Sequence, residues 1–115
     1  MLRNNVLRKQ ADFDTVYKKG KSVGDKYVVV FYIKNHRDLT RTCFLASKKV
    51  GNSVRRNRAR RLMKESYRLI SDRIPAGYDM IIIARNTISD RSFSEVDQSL
   101  QRALKRAGIL SENMI

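Results

Sequence analysis

Residues 52–74 read as one long helix, and no other feature limits the possible folds as strongly. The punctuation Pro75-Ala76-Gly77 stops it. At about 100° per residue, Ala59, Leu62, Met63, Ser66 and Ile70 fall within about 60° of one direction. Asn57, Arg60, Arg61, Lys64 and Arg68 fall on the other side, so the helix packs by one face only. In a chain of 115 residues, one domain's worth, that face needs a partner of similar size. The candidates are short apolar runs that read as strands.

Residues 26–34, KYVVVFYIK, are too short, too β-branched and too aromatic for a helix. Tyr27, Val29, Phe31 and Ile33 would share one face of that strand, and Val28, Val30 and Tyr32 the other. The polar residues 35–40 read as a hairpin loop, and residues 41–47, RTCFLAS, as a second strand antiparallel to the first. Residues 78–84, YDMIIIA, form a third strand whose Met80-Ile81-Ile82-Ile83 run predicts burial on both faces. Two more helices complete the set. Phe13, Val16 and Tyr17 make a stripe on residues 11–19, with Gly20 predicted to end that helix in the left-handed conformation. Ser92 and Glu95 have capping-box spacing ahead of Val96, Leu100, Ala103, Leu104 and Ala107, and Gly108 ends that last helix. The order is α-β-β-α-β-α, an α+β two-layer sandwich forming a single domain over 1–115.

The net charge of +14 and pI near 10.5 decide the partner class. A compact body this positive repels itself, and a polyanion supplies the missing charge while releasing counterions. Nucleic acid leads, with an anionic membrane surface the lesser candidate. Residues 1–10 lack a signal-peptide apolar core, and no stretch approaches the roughly 20 apolar residues of a membrane span, so a soluble cytoplasmic protein is expected. Cys43, the sole cysteine, cannot form an intrachain disulfide and reads as a buried thiol in a strand. His36, the sole histidine, lies in a polar loop without ligand-spaced neighbours, and no nucleophile has an adjacent base. The acids are too dispersed for a protein-held two-metal site, so any reaction is expected to come from a partner.

The charge concentrates in residues 47–68, where Lys48, Lys49, Arg55, Arg56, Arg58, Arg60, Arg61, Lys64 and Arg68 face one acid, Glu65. Like charges repeat at helical spacing, Arg56 with Arg60 and Arg60 with Lys64, which costs stability unless an anion lies across them. Arginine's planar fork holds phosphate oxygens or stacks on bases, and suits structured RNA. Composition alone does not separate RNA from DNA. Phe13 and Tyr17 on the first helix, with Tyr27, Phe31 and Tyr32 on the first strand, are either ordinary core or a stacking platform for single-stranded nucleotides. Phe13 and Phe31 are the two expected to be partly exposed.

The run Ser47-Lys48-Lys49-Val50-Gly51-Asn52-Ser53-Val54, followed by Arg56-Asn57-Arg58 and Arg60-Arg61, resembles the protein subunit of bacterial ribonuclease P and its RNR motif. Asp12-Phe13 with Val16-Tyr17 and Gly20, and Ile81-Ile82-Ile83-Ala84-Arg85, are similar to that family's first helix and last strand. The resemblance implies a left-handed β-α-β crossover, against the usual hand. It also implies a protein cofactor of a catalytic RNA that removes the 5′ leader of precursor tRNA, with Mg²⁺ held mainly by the RNA subunit. By the same resemblance, Phe13, Tyr17, Phe31, Lys48, Lys49 and Asn52 belong to the leader-binding cleft. Arg55, Arg56, Asn57, Arg58, Arg60, Arg61, Lys64 and Arg68 face the ribonuclease P RNA, with Arg56 and Asn57 near the leader path. No membrane and no stable protein partner is implied. A structural RNA-binding protein, such as a ribosomal protein, shares the size and basicity and would bind without altering cleavage. A helix in the DNA major groove lacks the helix-turn-helix or dimer signal that would support it.

Overall fold

The computed structural model describes residues 5–111. In chain order these form α1 (Gln10–Lys19), β1 (Lys21–Gly24), β2 (Val28–Lys34), β3 (Arg41–Ala46), α2 (Ser53–Ile70), β4 (Tyr78–Ala84) and α3 (Phe93–Arg106). The strands make one sheet in the order β1-β2-β4-β3. Helices and strands both contribute to the core, as the α+β reading requires.

The predicted hairpin between residues 26–34 and 41–47 does not form. β4 lies between the two strands, antiparallel to β2 and parallel to β3. The reason is in β4 itself, where Met80, Ile81 and Ile82 are all fully buried. A strand apolar on both faces gains most at the centre of a sheet, where both faces are covered and both edges hydrogen-bonded. The six-residue link then spans two strand spacings, about 10 Å, well within its reach. It is tied to the entry of β4 by Asn35 N–H donating to the Gly77 carbonyl at 2.8 Å and the Thr40 hydroxyl donating to that of Pro75 at 2.6 Å.

One sheet face carries the larger core. Val28, Val30, Met80, Ile82 and Ala84 meet Ala59, Met63 and Ile70 of α2 and Val96, Leu100, Ala103 and Leu104 of α3. The predicted α2 stripe is therefore the packed one, with Leu62 half-buried at its margin. Its one polar member, Ser66, is buried and donates to Asp97 of α3 at 2.7 Å, so the stripe locks the two helices together. The capping box of Ser92 and Glu95 starts α3, and Gly108 follows it at φ 76°.

On the opposite face α1 covers part of the sheet, with Val16 packed on Leu7 and Ile81 and flanked by half-buried Phe13, Phe31, Ile33, Cys43, Leu45 and Ile83. Cys43 is thus half-buried rather than buried, because α1 leaves the β3 side of that face open. Tyr27 departs from the predicted alternation: it precedes β2 and packs with the α2/α3 core. Gly20 is extended, at φ −83°, because the chain runs directly into β1, a strand that the sequence reading omits.

Candidate nucleic-acid interface

The open part of the α1 face is a cleft whose floor is set by strand alternation. Phe31 and Ile33 of β2, Ile81 and Ile83 of β4, and Cys43 and Leu45 of β3 point to this side. α1 brings Phe13 and Tyr17 above that floor, and the Tyr17 ring meets Phe31 edge-on at 5.1 Å and 74°. Phe13 and Phe31 are half-buried, but so are Tyr27 and Tyr32, and the exposed member of the set is Tyr17 at 44 %, not the two phenylalanines singled out from the sequence. Tyr32 turns to the other core, where it meets Tyr78. The aromatic set thus divides, and Phe13, Tyr17 and Phe31 are the members gathered in the cleft.

Burial pushes the Cys43 thiol above its ordinary pKa, with the Phe44 amide and the Lys64 charge pulling partly back. Burial likewise raises Tyr17, assisted by Cys43. Both groups stay neutral near pH 7 and present an uncharged surface.

A network absent from the sequence reading fixes α1 at one end of this cleft. Arg41 of β3 donates to both oxygens of Asp79, at 2.8 and 2.6 Å, and reaches Asp12 of α1 at 3.3 Å. Asp79 is only 7 % exposed and also accepts from Asn35 at 2.8 Å. The visible signal was an aspartate inside the otherwise apolar YDMIIIA run, which a buried strand tolerates only with a charged partner.

Beyond β3 the chain turns through the short Lys48–Val50 helix. Val50 is buried and anchors it, its carbonyl accepting from the Ser89 hydroxyl at 2.6 Å, while Lys48 and Lys49 remain exposed. Gly51, at φ 144°, makes the bend that leads into α2. Asn52 is the N-cap, its side-chain oxygen accepting from the Arg55 amide at 3.0 Å. That bond gives Asn52 a structural role beside the leader contact that the family resemblance implies.

Along α2 the cations fan over the solvent side with little acid among them. Arg56 donates to Ser53 at 3.1 Å, Arg58 to the Arg91 carbonyl at 2.8 Å, and Arg60 to Asn57. Arg55 reaches Asp90 only at 3.9 Å with both groups exposed, a contact of little energetic weight. Arg68 alone is firmly paired, donating twice to Glu65. Arg61 and Lys64 have no ion-pair partner among the described residues. Among the described residues no three His, Cys, Asp or Glu side chains come together, and no helix is long and apolar enough to cross a membrane.

An aromatic cleft on one sheet face and an unneutralised basic helix on the other define a small α+β nucleic-acid-binding protein. Residues 1–108 match the family model described as Ribonuclease P. The ribonuclease P protein component of Clostridioides difficile is 45 % identical over 108 residues, covering 93 % of this chain and 95 % of that one. The structure of the Staphylococcus aureus RNase P protein superposes with a TM-score of 0.86 at 34 % identity, covering 95 % of this chain and all of that one. The Thermotoga maritima protein gives 0.80 at 34 % identity, covering 88 % and 96 %. The chain belongs to the ribonuclease P protein family. Its role is that of a protein component of this RNA-processing enzyme, partnered with an RNA subunit, which sets aside the ribosomal-protein alternative.

Proposed function

We propose that this protein binds the single-stranded 5′ leader of precursor tRNA in the α1 cleft while α2 faces the catalytic RNA, in the cytoplasm. The observation that carries the reading is the open Tyr17–Phe31 edge pair over a half-buried apolar floor. Such a surface stacks bases without demanding a sequence. Lys48 and Lys49 follow β3 directly and supply charge for leader phosphates, and Asn52 holds the turn that presents them. Arg55, Arg56, Asn57, Arg58, Arg60, Arg61, Lys64 and Arg68 form the surface toward the RNA subunit.

Hydrolysis of the leader bond is Mg²⁺-dependent in this reading, and the ion is held mainly by the RNA. The protein's own contribution is to lower repulsion between two polyanions and to grip a strand that mature tRNA lacks. The reconstituted holoenzyme should therefore bind precursor more tightly than mature tRNA. Tyr17→Ala should cut that preference by about fivefold or more, the scale of one lost stacking contact, and leave mature tRNA binding unchanged. Equal binding of the two tRNA forms by the unaltered holoenzyme would overturn the proposal.

A further inference from the structure

A second depression lies on the α2 side of β3 and meets the cleft at Cys43, which lines both. It encloses about 740 Å³ between α2 and the outer edge of β3. Phe44 of β3 and Tyr67 of α2 line it, their rings edge-on at 5.7 Å and 67°. Val6, bridged in parallel to Thr42, walls the other side and is 37 % exposed. Arg61 and Lys64 also line it. The one acid there, Glu65, gives both carboxylate oxygens to Arg68 at 2.9 and 2.7 Å. The charge left over is that of Arg61 and Lys64.

Aromatic surface with two uncompensated cations beside it matches a nucleotide, whose base is flat and apolar and whose phosphate is anionic. A base still paired in a helix keeps its faces stacked on its neighbours and cannot enter such a groove. We propose that the α2–β3 groove takes one unpaired nucleotide of the RNA subunit, its base against Phe44 and Tyr67 and its phosphate on Arg61 and Lys64. The RNA subunit is the source because Tyr67 and both cations belong to α2, while the groove shares a single residue, Cys43, with the floor of the leader cleft. The inference rests on the reading that α2 faces that RNA.

The test uses holoenzyme reconstituted from the full chain and its cognate RNA subunit, with RNA-subunit affinity and nucleotide-resolution chemical probing as readouts. Val6→Trp fills the groove from its wall and leaves both cations unsubstituted. Phe44→Leu removes the flat ring but keeps apolar volume, and covers the case in which the tryptophan disturbs the fold. Each variant is expected to weaken RNA-subunit binding about tenfold and to expose one unpaired nucleotide of that RNA while other protections persist. If affinity and protections are unchanged in both variants while the Arg56/Asn57/Arg60→Ala triple variant still binds weakly, the groove is not a nucleotide site and the α2 reading survives. If the triple variant also binds normally, the α2 reading fails and takes this inference with it. Loss of protection on the precursor leader instead would overturn the assignment to the RNA subunit.

Discussion

Asp25 shows how much of this fold depends on single polar residues. It sits in the turn between β1 and β2, its side chain only 8 % exposed, and accepts from Arg102 and Arg106 of α3, at 2.8 and 2.7 Å, and from the Ser99 hydroxyl at 2.8 Å. Burial alone would raise its pKa, but the Arg102 hydrogen bond, the Lys26 amide and Ser99 outweigh burial and hold it at about 2. Because the folded value lies below the ordinary 3.8, the stabilisation is complete above about pH 4 and is lost as pH falls toward 2. Its size is about 2 kcal/mol. Asp25→Asn should therefore be less stable than the parent at pH 7 by about that amount, and the gap should close toward pH 2 in denaturant titrations. A gap that is the same at both pH values would show that Asp25 acts by shape rather than charge.

Gly20 makes a steric case at the same scale. A Cβ there would sit 2.5 Å from the carbonyl oxygens of both Tyr32 and Val16, neither of which can swing away. Gly20→Ala should cost about 2 kcal/mol or more, read as a lowered melting temperature. The glycine in the sequence correctly marked the end of α1. Its reason, close approach of the helix end to β2 rather than a left-handed turn, depends on a contact twelve residues away in the chain.

Among the elements, α2 tests how a cap and a binding residue are told apart. Asn52→Ala removes the bond to the Arg55 amide and should cost about 1 kcal/mol of stability, whereas Asn52→Asp keeps an acceptor and should hold stability near the parent value. If the aspartate variant restores stability but not precursor binding, Asn52 also serves the leader path. If it restores both, capping accounts for the residue. Elements whose causes are local were legible in advance: the capping box of α3, the buried stripe of α2 and the doubly buried β4 all follow from residues within a few turns. Strand order was not legible, since a six-residue link permits both a hairpin and a split pair, and only the preference of β4 for the sheet centre chooses between them. The four-residue β1 escaped because KSVG carries no apolar alternation. In the site, the cleft aromatics and the cations were visible as residue types, while the Arg41–Asp79–Asp12 network and the Phe44–Tyr67 pair arise only from the sheet register.

For the whole molecule, the separation of two surfaces by one sheet is the organising fact. The α1 cleft is aromatic and uncharged at its floor, while α2 carries seven of the chain's 25 cations against one acid, so in the proposed function the leader strand and the folded RNA occupy different faces. The +14 charge makes isolated protein self-repelling and makes assembly with RNA strongly salt-dependent. The most direct measurement adds the purified protein to its cognate ribonuclease P RNA at low Mg²⁺ and follows 5′-leader release from precursor tRNA. The account predicts that the protein restores cleavage and that the Arg56/Asn57/Arg60→Ala triple variant does not. Cleavage left unchanged by a protein that still binds the RNA tightly would contradict it.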